Sequence, residues 1–260
     1  MTQETSGTGG IPLAYRALVT GAAAGIGKAI AEALATEGYR VTGADRSEAV
    51  LRSVEHPGYT GVVCDVTVEE QVRAAVAAAA HDSRLDLLVC NAGIFTAGRP
   101  IADLDDATWE HSLSVNLTGT LRVLRAAIPL LKKGKDASVV IIGSRNVAAP
   151  GPGAAAYSVA KAGITQLARV AALELAGDGV RVNVLHPDAV FDTDLWTPEA
   201  LARSAERYGL TVEAYKRKNL MRAEIRSVDV AAAVLALAGP AFARTTGAQI
   251  PVDGGNDRVI

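Results

Sequence analysis

Apolar residues in the first two thirds of the chain form short runs separated by glycines, polar turns and longer one-sided or alanine-rich segments. Short apolar runs are typical of strands buried on both faces, and the longer segments are typical of helices. The pattern predicts strands at residues 17–20, 40–44, 61–64, 85–90 and 138–143. It predicts helices at residues 28–37, from Thr67 onward, at 106–132 and at 154–176. This alternation indicates an α/β fold with a parallel sheet that binds ligands at the carboxyl ends of its strands.

The longest predicted helix, at residues 106–132, has an apolar stripe that Asn116 interrupts. The stripe consists of Trp109, Leu113, Leu117, Leu121, Leu124, Ile128 and Leu131. An asparagine in mid-helix usually makes a satisfied polar contact or a small kink. The pattern alone therefore favours a structural role for Asn116 over a catalytic one.

The composition is that of a globular protein. The sequence has 260 residues, 49% of them hydrophobic and 21% charged, with a formal net charge of -2. This length suits one α/β domain, the charge gives no basic footprint for nucleic acid, and no apolar run reaches the ~20 residues of a membrane helix. Residues 1–14 are polar and glycine-rich, without the features of a signal peptide. We expect a flexible tail at 1–14, a single domain at 15–260 and a cytoplasmic location.

Cys64 and Cys90 lie inside predicted strands, where buried free thiols are expected rather than a disulfide. The four histidines are scattered along the chain. The sequence therefore predicts no metal site.

A glycine-rich turn joins the first predicted strand to the first predicted helix. The segment GAAAGIG at residues 21–27 places glycines at 21, 25 and 27. Glycines let the backbone turn sharply and approach a pyrophosphate, which the free N–H groups of the helix amino terminus attract. The turn predicts a dinucleotide site, although a plain tight turn is the alternative on this feature alone.

Acidic and small residues follow the next three strands. Asp45 ends the second strand, where a carboxylate binds ribose hydroxyls and repels a 2′-phosphate, so NAD is favoured over NADP. Arg46 weakens this preference because a guanidinium attracts such a phosphate. Asp65 and Val66 are positioned to contact adenine, and Asp65 could instead, or as well, cap the following helix. The fourth strand is followed by Asn91, Ala92 and Gly93. The small residues let the chain pass close to a ligand, and the asparagine can bridge strands.

A serine, a tyrosine and a lysine are the candidate catalytic groups. Tyr157 and Lys161 are four residues apart in a predicted helix, so both side chains project from one face. A phenol titrates near ~10, and a neighbouring ammonium lowers its pKa towards the range of a general acid or base. Ser144 ends the fifth strand, and the loop PGPG at 150–153 can return the serine to the tyrosine. The alternative is that this common helical spacing is surface decoration.

In this order and spacing the motifs resemble those of the classical short-chain dehydrogenase/reductases, over nearly all of residues 17–255. TGAAAGIG at 20–27, including Ile26, is similar to the family's cofactor motif, and CDV at 64–66 to its adenine contact. NAG at 91–93, SVNLTG at 114–119 and TTGAQIPVDGG at 245–255 are similar to three further family motifs. Ser144, Tyr157 and Lys161 look like its active centre.

The resemblance implies roles for these residues. Tyr157 is the acid or base, Lys161 binds the nicotinamide ribose and lowers the tyrosine's pKa, and Ser144 hydrogen-bonds the substrate oxygen. Asn116 supports a water-mediated proton relay, which reverses the preference from the helical pattern. The resemblance also implies a single Rossmann-like, doubly wound domain with a seven-stranded parallel sheet and helices on both faces. It further implies a homotetramer, or less often a homodimer, built by helices 106–132 and 154–176.

One segment departs from the family pattern. The family usually has Pro-Gly after its sixth strand and then a threonine that contacts the cofactor carboxamide, whereas HPDAVFDT occupies residues 186–193 here. The candidate cofactor contacts are Pro187, Val190 and Thr193. Asp188, in place of the glycine, is either a substrate ligand or a turn-forming residue.

The substrate side is predicted to include Arg145, Asn146 and a lid insertion at about 194–224. The insertion has two helix starts, at residues 197–199 and 211–213. Its aromatic residues could form pocket walls, and they are Trp196, Tyr208 and Tyr215. Its basic residues are Arg203, Arg207, Lys216, Arg217, Lys218 and Arg222. They either attract a phosphate or a carboxylate of the substrate, or form a solvated helix face. The solvated face is favoured for most of them.

The segment at 186–193 and the lid also look like those of sugar and polyol dehydrogenases, particularly the dehydrogenase half of bifunctional rhamnulose-phosphate aldolase/dehydrogenases. The predicted function is NAD-dependent oxidation of a secondary alcohol in a small polar substrate such as a sugar, polyol or hydroxyaldehyde. An NADPH-dependent 3-oxoacyl-type reductase and a non-catalytic dinucleotide-sensing module are the alternatives. Neither the substrate nor the physiological direction follows from the sequence.

Overall fold

The computed structural model describes residues 14–81, 83–96 and 98–256, so the predicted tail lies almost entirely outside the described residues. The strands are β1 Arg16–Thr20, β2 Arg40–Asp45, β3 Tyr59–Val63, β4 Leu87–Cys90, β5 Ser138–Ile142, β6 Arg181–Pro187 and β7 Gln249–Val252. The helices are α1 Gly25–Thr36, α2 Glu69–Ala80, α3 Asp106–Leu113, α4 Thr120–Leu131, α5 Ala155–Leu175, α6 Pro198–Arg207, α7 Val212–Lys216 and α8 Ser227–Ala238.

All seven strands form one parallel sheet in the order β3-β2-β1-β4-β5-β6-β7. The chain builds outward from β1 to β3, returns to place β4 beside β1, and then builds outward to β7. Leu18 of β1, for example, pairs with Thr42 of β2 on one side and with Leu88 of β4 on the other. The predicted doubly wound fold is confirmed, and ligands in such sheets bind at the switch point between β1 and β4.

Helices cover both faces of the sheet and form two apolar cores. Leu18 and Leu88 face a core completed by α2, α4 and α5. Val19 and Val89, the next residues along each strand, face a core completed by α1 and α8. Because successive strand residues point to opposite faces, continuous apolar runs fit a sheet buried on both sides.

Two predicted strands differ from the observed ones by two residues at their amino-terminal ends. β3 begins at Tyr59, ahead of the predicted apolar run, because Tyr59 already pairs with Val41. β4 begins at Leu87 because the carboxylate of Asp86 accepts a hydrogen bond from the backbone N–H of Arg16 at 2.8 Å and pairs with Arg84. Tertiary contacts therefore set both boundaries.

The long helix predicted at residues 106–132 is interrupted by a wide π-helical turn at Ser114–Gly119, between α3 and α4. Asn116 lies in this turn with no exposed surface. Its side-chain oxygen accepts a hydrogen bond from the backbone N–H of Ile94 at 2.8 Å, and its amide donates to the carbonyl of Ile94 at 3.0 Å. The turn thus ties the helix to the chain that follows β4, and such turns occur often at functional sites.

The lid insertion contains α6 and α7, which begin where the sequence predicts. The side-chain oxygens of Thr197 and Thr211 cap them by accepting hydrogen bonds from the backbone N–H groups of Ala200 and Ala214, each at 3.2 Å. The predicted aromatic walls pack mainly on one another, with Tyr215 at the centre of a small apolar cluster. Within the described part of the chain, no helix is long and apolar enough to cross a membrane.

Candidate active site

The glycine turn between β1 and α1 forms a close backbone cradle. Gly21 adopts a positive φ of 69°, and its N–H donates to the carbonyl of Ala44 at 2.7 Å. A Cβ at Gly27 would lie 2.0 Å from the carbonyl oxygen of Gly21, so only glycine fits there. No side chain caps the amino terminus of α1, which leaves its first N–H groups to an anion. The cradle therefore fits the pyrophosphate of a dinucleotide.

Asn91 bridges the two strands at the switch point, as predicted. Its side-chain amide donates to the carbonyls of Thr20 and Gly21 at 3.0 and 3.1 Å. The hydroxyl of Thr20, which the sequence analysis overlooked, accepts from the backbone N–H groups of Asn91 and Ala92 at 3.0 and 3.1 Å. These contacts fix the ends of β1 and β4 side by side beneath the cradle.

The carboxylate of Asp45 lies beside the glycine turn, where it accepts hydrogen bonds from the backbone N–H groups of Ala23 at 3.2 Å and Ser47 at 2.9 Å. This is the position predicted for a ribose ligand. Arg46 is exposed to solvent.

Asp65 does not cap α2, so that alternative is wrong. The helix begins at Glu69, and its N-cap Val68 supplies no side-chain cap. The carboxylate of Asp65 instead accepts from the backbone N–H and hydroxyl of Thr67 at 2.8 and 2.7 Å, and the backbone hydrogen bond is the main reason that its pKa lies below the usual value. Val66 is buried, and its side chain lies against Gly119, which belongs to the π-helical turn.

The candidate catalytic side chains meet at the carboxyl ends of β4 and β5. Lys161 is buried, its Nζ lies 5.7 Å from the ring centroid of Tyr157, and it donates to the carbonyl of Ile142 at 2.8 Å. A Cβ at Gly93 would lie 2.8 Å from Oδ1 of Asn116 and 3.6 Å from Nζ of Lys161. The absence of a side chain at Gly93 therefore keeps this space open.

Burial and Ser144 act in opposite directions on the pKa of Tyr157. Burial raises the pKa of this phenol, and a hydrogen bond with Ser144 lowers it in part. The ammonium of Lys161 is turned towards the carbonyl of Ile142, and burial lowers the pKa of Lys161 itself to about 8, so its effect on the pKa of Tyr157 stays a prediction. Ser144 is thus the group that favours the phenolate in this arrangement.

Both side-chain amide hydrogens of Asn116 are engaged, because besides the bond to Ile94 the amide donates to the hydroxyl of Ser112 at 3.2 Å. Its backbone carbonyl oxygen accepts from the hydroxyl of Thr120 at 2.9 Å. This backbone oxygen and the side-chain oxygen each have a second lone pair for a further donor. The proton relay through Asn116 stays a prediction.

His186 holds the backbone of Ser144, a role that the sequence analysis missed. Its Nδ1 lies 3.2 Å from the backbone nitrogen and 3.0 Å from the carbonyl oxygen of Ser144, and its Nε2 lies 3.3 Å from Oε1 of Gln249. A Cβ at Gly143 would lie 2.6 Å from the imidazole, so the glycine makes room for it. Burial lowers the pKa of His186, which favours the neutral imidazole.

Arg145 and Asn146 contact protein groups beside the catalytic serine. The guanidinium of Arg145 pairs with the carboxylate of Asp188 at 3.2 Å, and the side-chain amide of Asn256 donates to the other oxygen of that carboxylate. Asn146 donates its backbone N–H to the hydroxyl of Ser144 at 3.1 Å. Asp188 is therefore an ion-pair residue at this edge of the sheet, and the substrate contacts of Arg145 and Asn146 stay predictions.

The segment after β6 returns to the glycine turn. Pro187 ends the strand, and Val190 is buried. The hydroxyl of Thr193 donates to the carbonyl of Val190 at 2.9 Å, and its methyl carbon lies 3.2 Å from the position of a Cβ on Gly25. Thr193 thus faces the cradle although it comes one residue later than the family pattern predicts.

Both cysteines are free and buried, as predicted. Within residues 14–81, 83–96 and 98–256, no group of three or more histidine, cysteine or acidic residues is arranged to hold a metal ion.

Comparisons with known proteins agree with this geometry. A family model described as enoyl-(acyl carrier protein) reductase matches residues 21–257. An uncharacterized NAD-dependent oxidoreductase of Mycobacterium tuberculosis is 33% identical over 261 residues, which cover 92% of this chain and 94% of the relative. A short chain dehydrogenase of Penicillium roqueforti is 29% identical over 245 residues, which cover 91% and 94% of the two chains.

Solved structures are also similar. One is a 3-ketoacyl-(acyl-carrier-protein) reductase from Brucella melitensis complexed with NADH, with a TM-score of 0.81, 27% identity and coverage of 94% of this chain and 98% of that one. Another is a sorbitol-6-phosphate 2-dehydrogenase from Erwinia amylovora, with a TM-score of 0.84, 29% identity and coverage of 92% and 98%.

Proposed function

The chain belongs to the classical short-chain dehydrogenase/reductase family and acts on alcohol or carbonyl groups, and from this premise we propose that it is an NAD-dependent dehydrogenase of a small polar alcohol. The proposed substrate class is a sugar, polyol or hydroxyaldehyde. The observation that carries the proposal is the meeting of Ser144, Tyr157 and Lys161 beside a dinucleotide cradle at the switch point of the sheet.

In the proposed reaction, the side chains of this site bind and deprotonate the alcohol. The hydroxyl of Ser144 holds the substrate oxygen and stabilises the phenolate of Tyr157, which removes the hydroxyl proton. The ammonium of Lys161 lies close enough to the phenol ring to bind the nicotinamide ribose from the same side. NAD supplies the acceptor for the hydride that leaves the carbinol carbon.

The preference for NAD over NADP rests on Asp45. Its carboxylate is fixed beside the glycine turn by backbone N–H groups of both adjoining segments. A 2′-phosphate at this position would meet a negative charge, whereas ribose hydroxyls would donate hydrogen bonds to it. The relative from Mycobacterium tuberculosis is named as NAD-dependent, which is consistent with this proposal.

An NADPH-dependent 3-oxoacyl-type reductase is the second candidate. The description of the family model and the similar reductase from Brucella melitensis favour it. The exposed Arg46 gives a possible phosphate ligand next to Asp45. The site offers no reason to prefer a non-catalytic sensing module, because the side chains needed for turnover are assembled.

The proposed assembly is a homotetramer, with a homodimer as the alternative. α5 presents an exposed apolar stripe at Val159, Val170 and Leu173, and the side chain of Leu173 is 83% exposed. Large exposed apolar patches commonly mark protein interfaces. The cytoplasmic location expected from the sequence stays a prediction.

A substrate screen tests the proposed function. Secondary alcohols, polyols, sugars and hydroxyaldehydes would be supplied with NAD or NADP, and the corresponding carbonyl compounds with the reduced cofactors, while the absorbance of the reduced nicotinamide is followed. We expect NAD reduction with small polar alcohols. Turnover confined to 3-oxoacyl substrates with NADPH would support the second candidate, and no turnover with any pair would contradict both.

A further inference from the structure

The lid contains a basic groove that the catalytic account does not use. It has a volume of about 480 Å³, is open to solvent, and lies between α7 and the loop that follows it. Its lining consists of Glu213, Ala214, Arg217, Lys218, Asn219 and Arg222. Three of these side chains are cationic and one is anionic, so the groove has an excess of positive charge.

The structure divides the basic residues of the lid into two groups. Arg203 and Arg207 lie on α6 outside the groove, and Lys216 pairs with Glu224 at 3.1 Å. Arg217, Lys218 and Arg222 all line the groove, and none of these three has an acidic partner within ion-pair distance among the described residues. A solvated basic face explains Arg203 and Arg207 on α6, but it does not explain why three cations converge on one groove.

Lys218 is fixed at the groove by aromatic rings. Its Nζ lies 4.3 Å from the ring centroid of Tyr208 and 4.9 Å from that of Tyr215. Burial is the main cause of the lowered pKa of this lysine, so its ammonium has lost part of its hydration. An anion at the groove would restore the stabilisation that the ammonium has lost.

Arg222 is held at the groove by a braced loop. Asn219 is buried, its side-chain amide donates to the carbonyl of Ala223 at 2.7 Å, and its oxygen accepts from the N–H of Ala223 at 3.1 Å. The N–H of Met221 donates to the carbonyl of Gly254 at 3.0 Å. Arg222 adopts a φ of 53°, a left-handed conformation that costs free energy for a side chain of this kind and that the bracing maintains.

The loop that lines the groove packs on the segment that supports the ion pair beside the catalytic serine. A Cβ at Gly254 would lie 2.6 Å from the side chain of Asn219, and Asn256, two residues further on, donates to the carboxylate of Asp188, which pairs with Arg145. Arg145 immediately follows Ser144 in the chain. A substrate whose carbinol lies at Ser144 and Tyr157 can therefore extend towards the lid.

We infer that this groove binds the anionic end, a carboxylate or a phosphate, of the substrate whose hydroxyl reacts at Tyr157. Arginine side chains offer a planar pair of donors that match either oxyanion. This inference rests on the proposed function and narrows its substrate class to anionic alcohols.

Matched substrates test the inference on the NAD-loaded enzyme. Each neutral secondary alcohol is compared with the hydroxy acid and with the phosphate monoester of the same carbon skeleton, which separates the two possible anions. We expect at least one anionic member to have a KM about tenfold lower than its neutral counterpart, equivalent to about 1.4 kcal/mol. The advantage should fall as salt is added, because the groove is open and its charges are screened.

A double variant, Arg217→Gln with Arg222→Gln, should remove most of that advantage and leave the KM of the neutral alcohol and its kcat unchanged. Arg207→Gln, an exposed lid cation outside the groove, is the matched control and should preserve the advantage. Equal KM values within every wild-type set, or an advantage that the double variant retains, would overturn the inference. Turnover of neutral alcohols alone would overturn the anion-binding role of the groove and leave the proposed function standing. No turnover of any alcohol would contradict both the binding role and the proposed function.

Discussion

At the scale of single residues, Ser144 is held through both its side chain and its backbone. Its hydroxyl accepts from the backbone N–H of Asn146 and hydrogen-bonds Tyr157, while His186 contacts its backbone on both sides of the Cα. Because Ser144 hydrogen-bonds the phenol directly, the serine is expected to control when Tyr157 ionises.

Ser144→Ala should therefore change the pH dependence as well as the rate. Removing the hydrogen bond that lowers the pKa of Tyr157 leaves burial unopposed, so this pKa rises further. Alcohol oxidation needs the phenolate, so the acidic limb of the kcat profile should move to higher pH, with kcat lower by roughly 10²–10³-fold. Steady-state kinetics across pH measures both effects, and a lower kcat with an unmoved acidic limb would contradict this role.

Asp45 and Arg46 give opposite expectations for cofactor choice, and paired variants separate them. Asp45→Asn removes the charge and keeps an oxygen for one of the two N–H groups, of Ala23 and Ser47, that now bind different carboxylate oxygens. NADP should therefore bind at least about tenfold more tightly than to the wild type. Arg46→Gln should leave NAD affinity within about twofold. Calorimetric titration of both cofactors measures this, and tighter NADP binding by the wild-type chain would refute the preference for NAD.

Side chains that follow strands could be placed from sequence, whereas contacts between distant segments could not. Asp45, Asn91 and Ser144 lie at strand ends, and a parallel sheet brings such ends to one edge whatever the other side chains do. The pairing of Arg145 with Asp188 and the contact of His186 with Ser144 follow from the register of β5 against β6, in which Ile142 pairs with Leu185. No local pattern encodes that register.

At the scale of secondary-structure elements, the glycine turn is the part of the cradle that tolerates least change. Its backbone approaches itself so closely at Gly27 that a methyl group would overlap the carbonyl of Gly21 and the side chain of Asn91. The same close approach leaves the amino terminus of α1 open to a pyrophosphate.

Gly27→Ala should destabilise the fold and weaken NAD binding together. Overpacking against a backbone carbonyl costs about 2–3 kcal/mol, or roughly 5–10 °C in Tm for a chain of this size. Gly177→Ala, at a position where a Cβ meets nothing within 4 Å, is the control and should leave Tm and NAD affinity unchanged. Thermal denaturation and NAD titration measure both effects, and an unchanged Gly27→Ala protein would contradict the close packing of the turn.

The π-helical turn between α3 and α4 shows where periodicity fails to predict an element. The apolar stripe continues through residues 114–119, so the pattern predicts one regular helix. The wider turn arises because the side chain of Asn116 bonds both backbone groups of Ile94, a tertiary contact. The sequence signal was the asparagine itself, which interrupts the stripe.

At the scale of the whole molecule, strand order follows from the alternation of strands and helices, but surface contacts between copies do not. The switch point between β1 and β4 collects the cradle, the catalytic side chains and the base of the lid at one edge. The apolar stripe on α5 lies outside this site and needs another partner.

Leu173→Glu should shift the protein towards smaller species. A carboxylate in an apolar interface is costly to bury, so the proposed assembly of 26.8 kDa subunits should dissociate. Ile101→Glu, at a position that is 80% exposed and outside α5, should leave the assembly intact. Size-exclusion chromatography with light scattering measures this, and a wild-type monomer would contradict the proposed assembly.

The central claim is that Tyr157 transfers the proton while other groups hold the cofactor. Tyr157→Phe removes one hydroxyl from a partly buried ring, so the most direct measurement compares turnover with NAD affinity in this variant. Turnover should fall by at least roughly 10²–10⁴-fold while the Kd for NAD changes by less than about threefold. Equal loss of both, or loss of neither, would contradict the account.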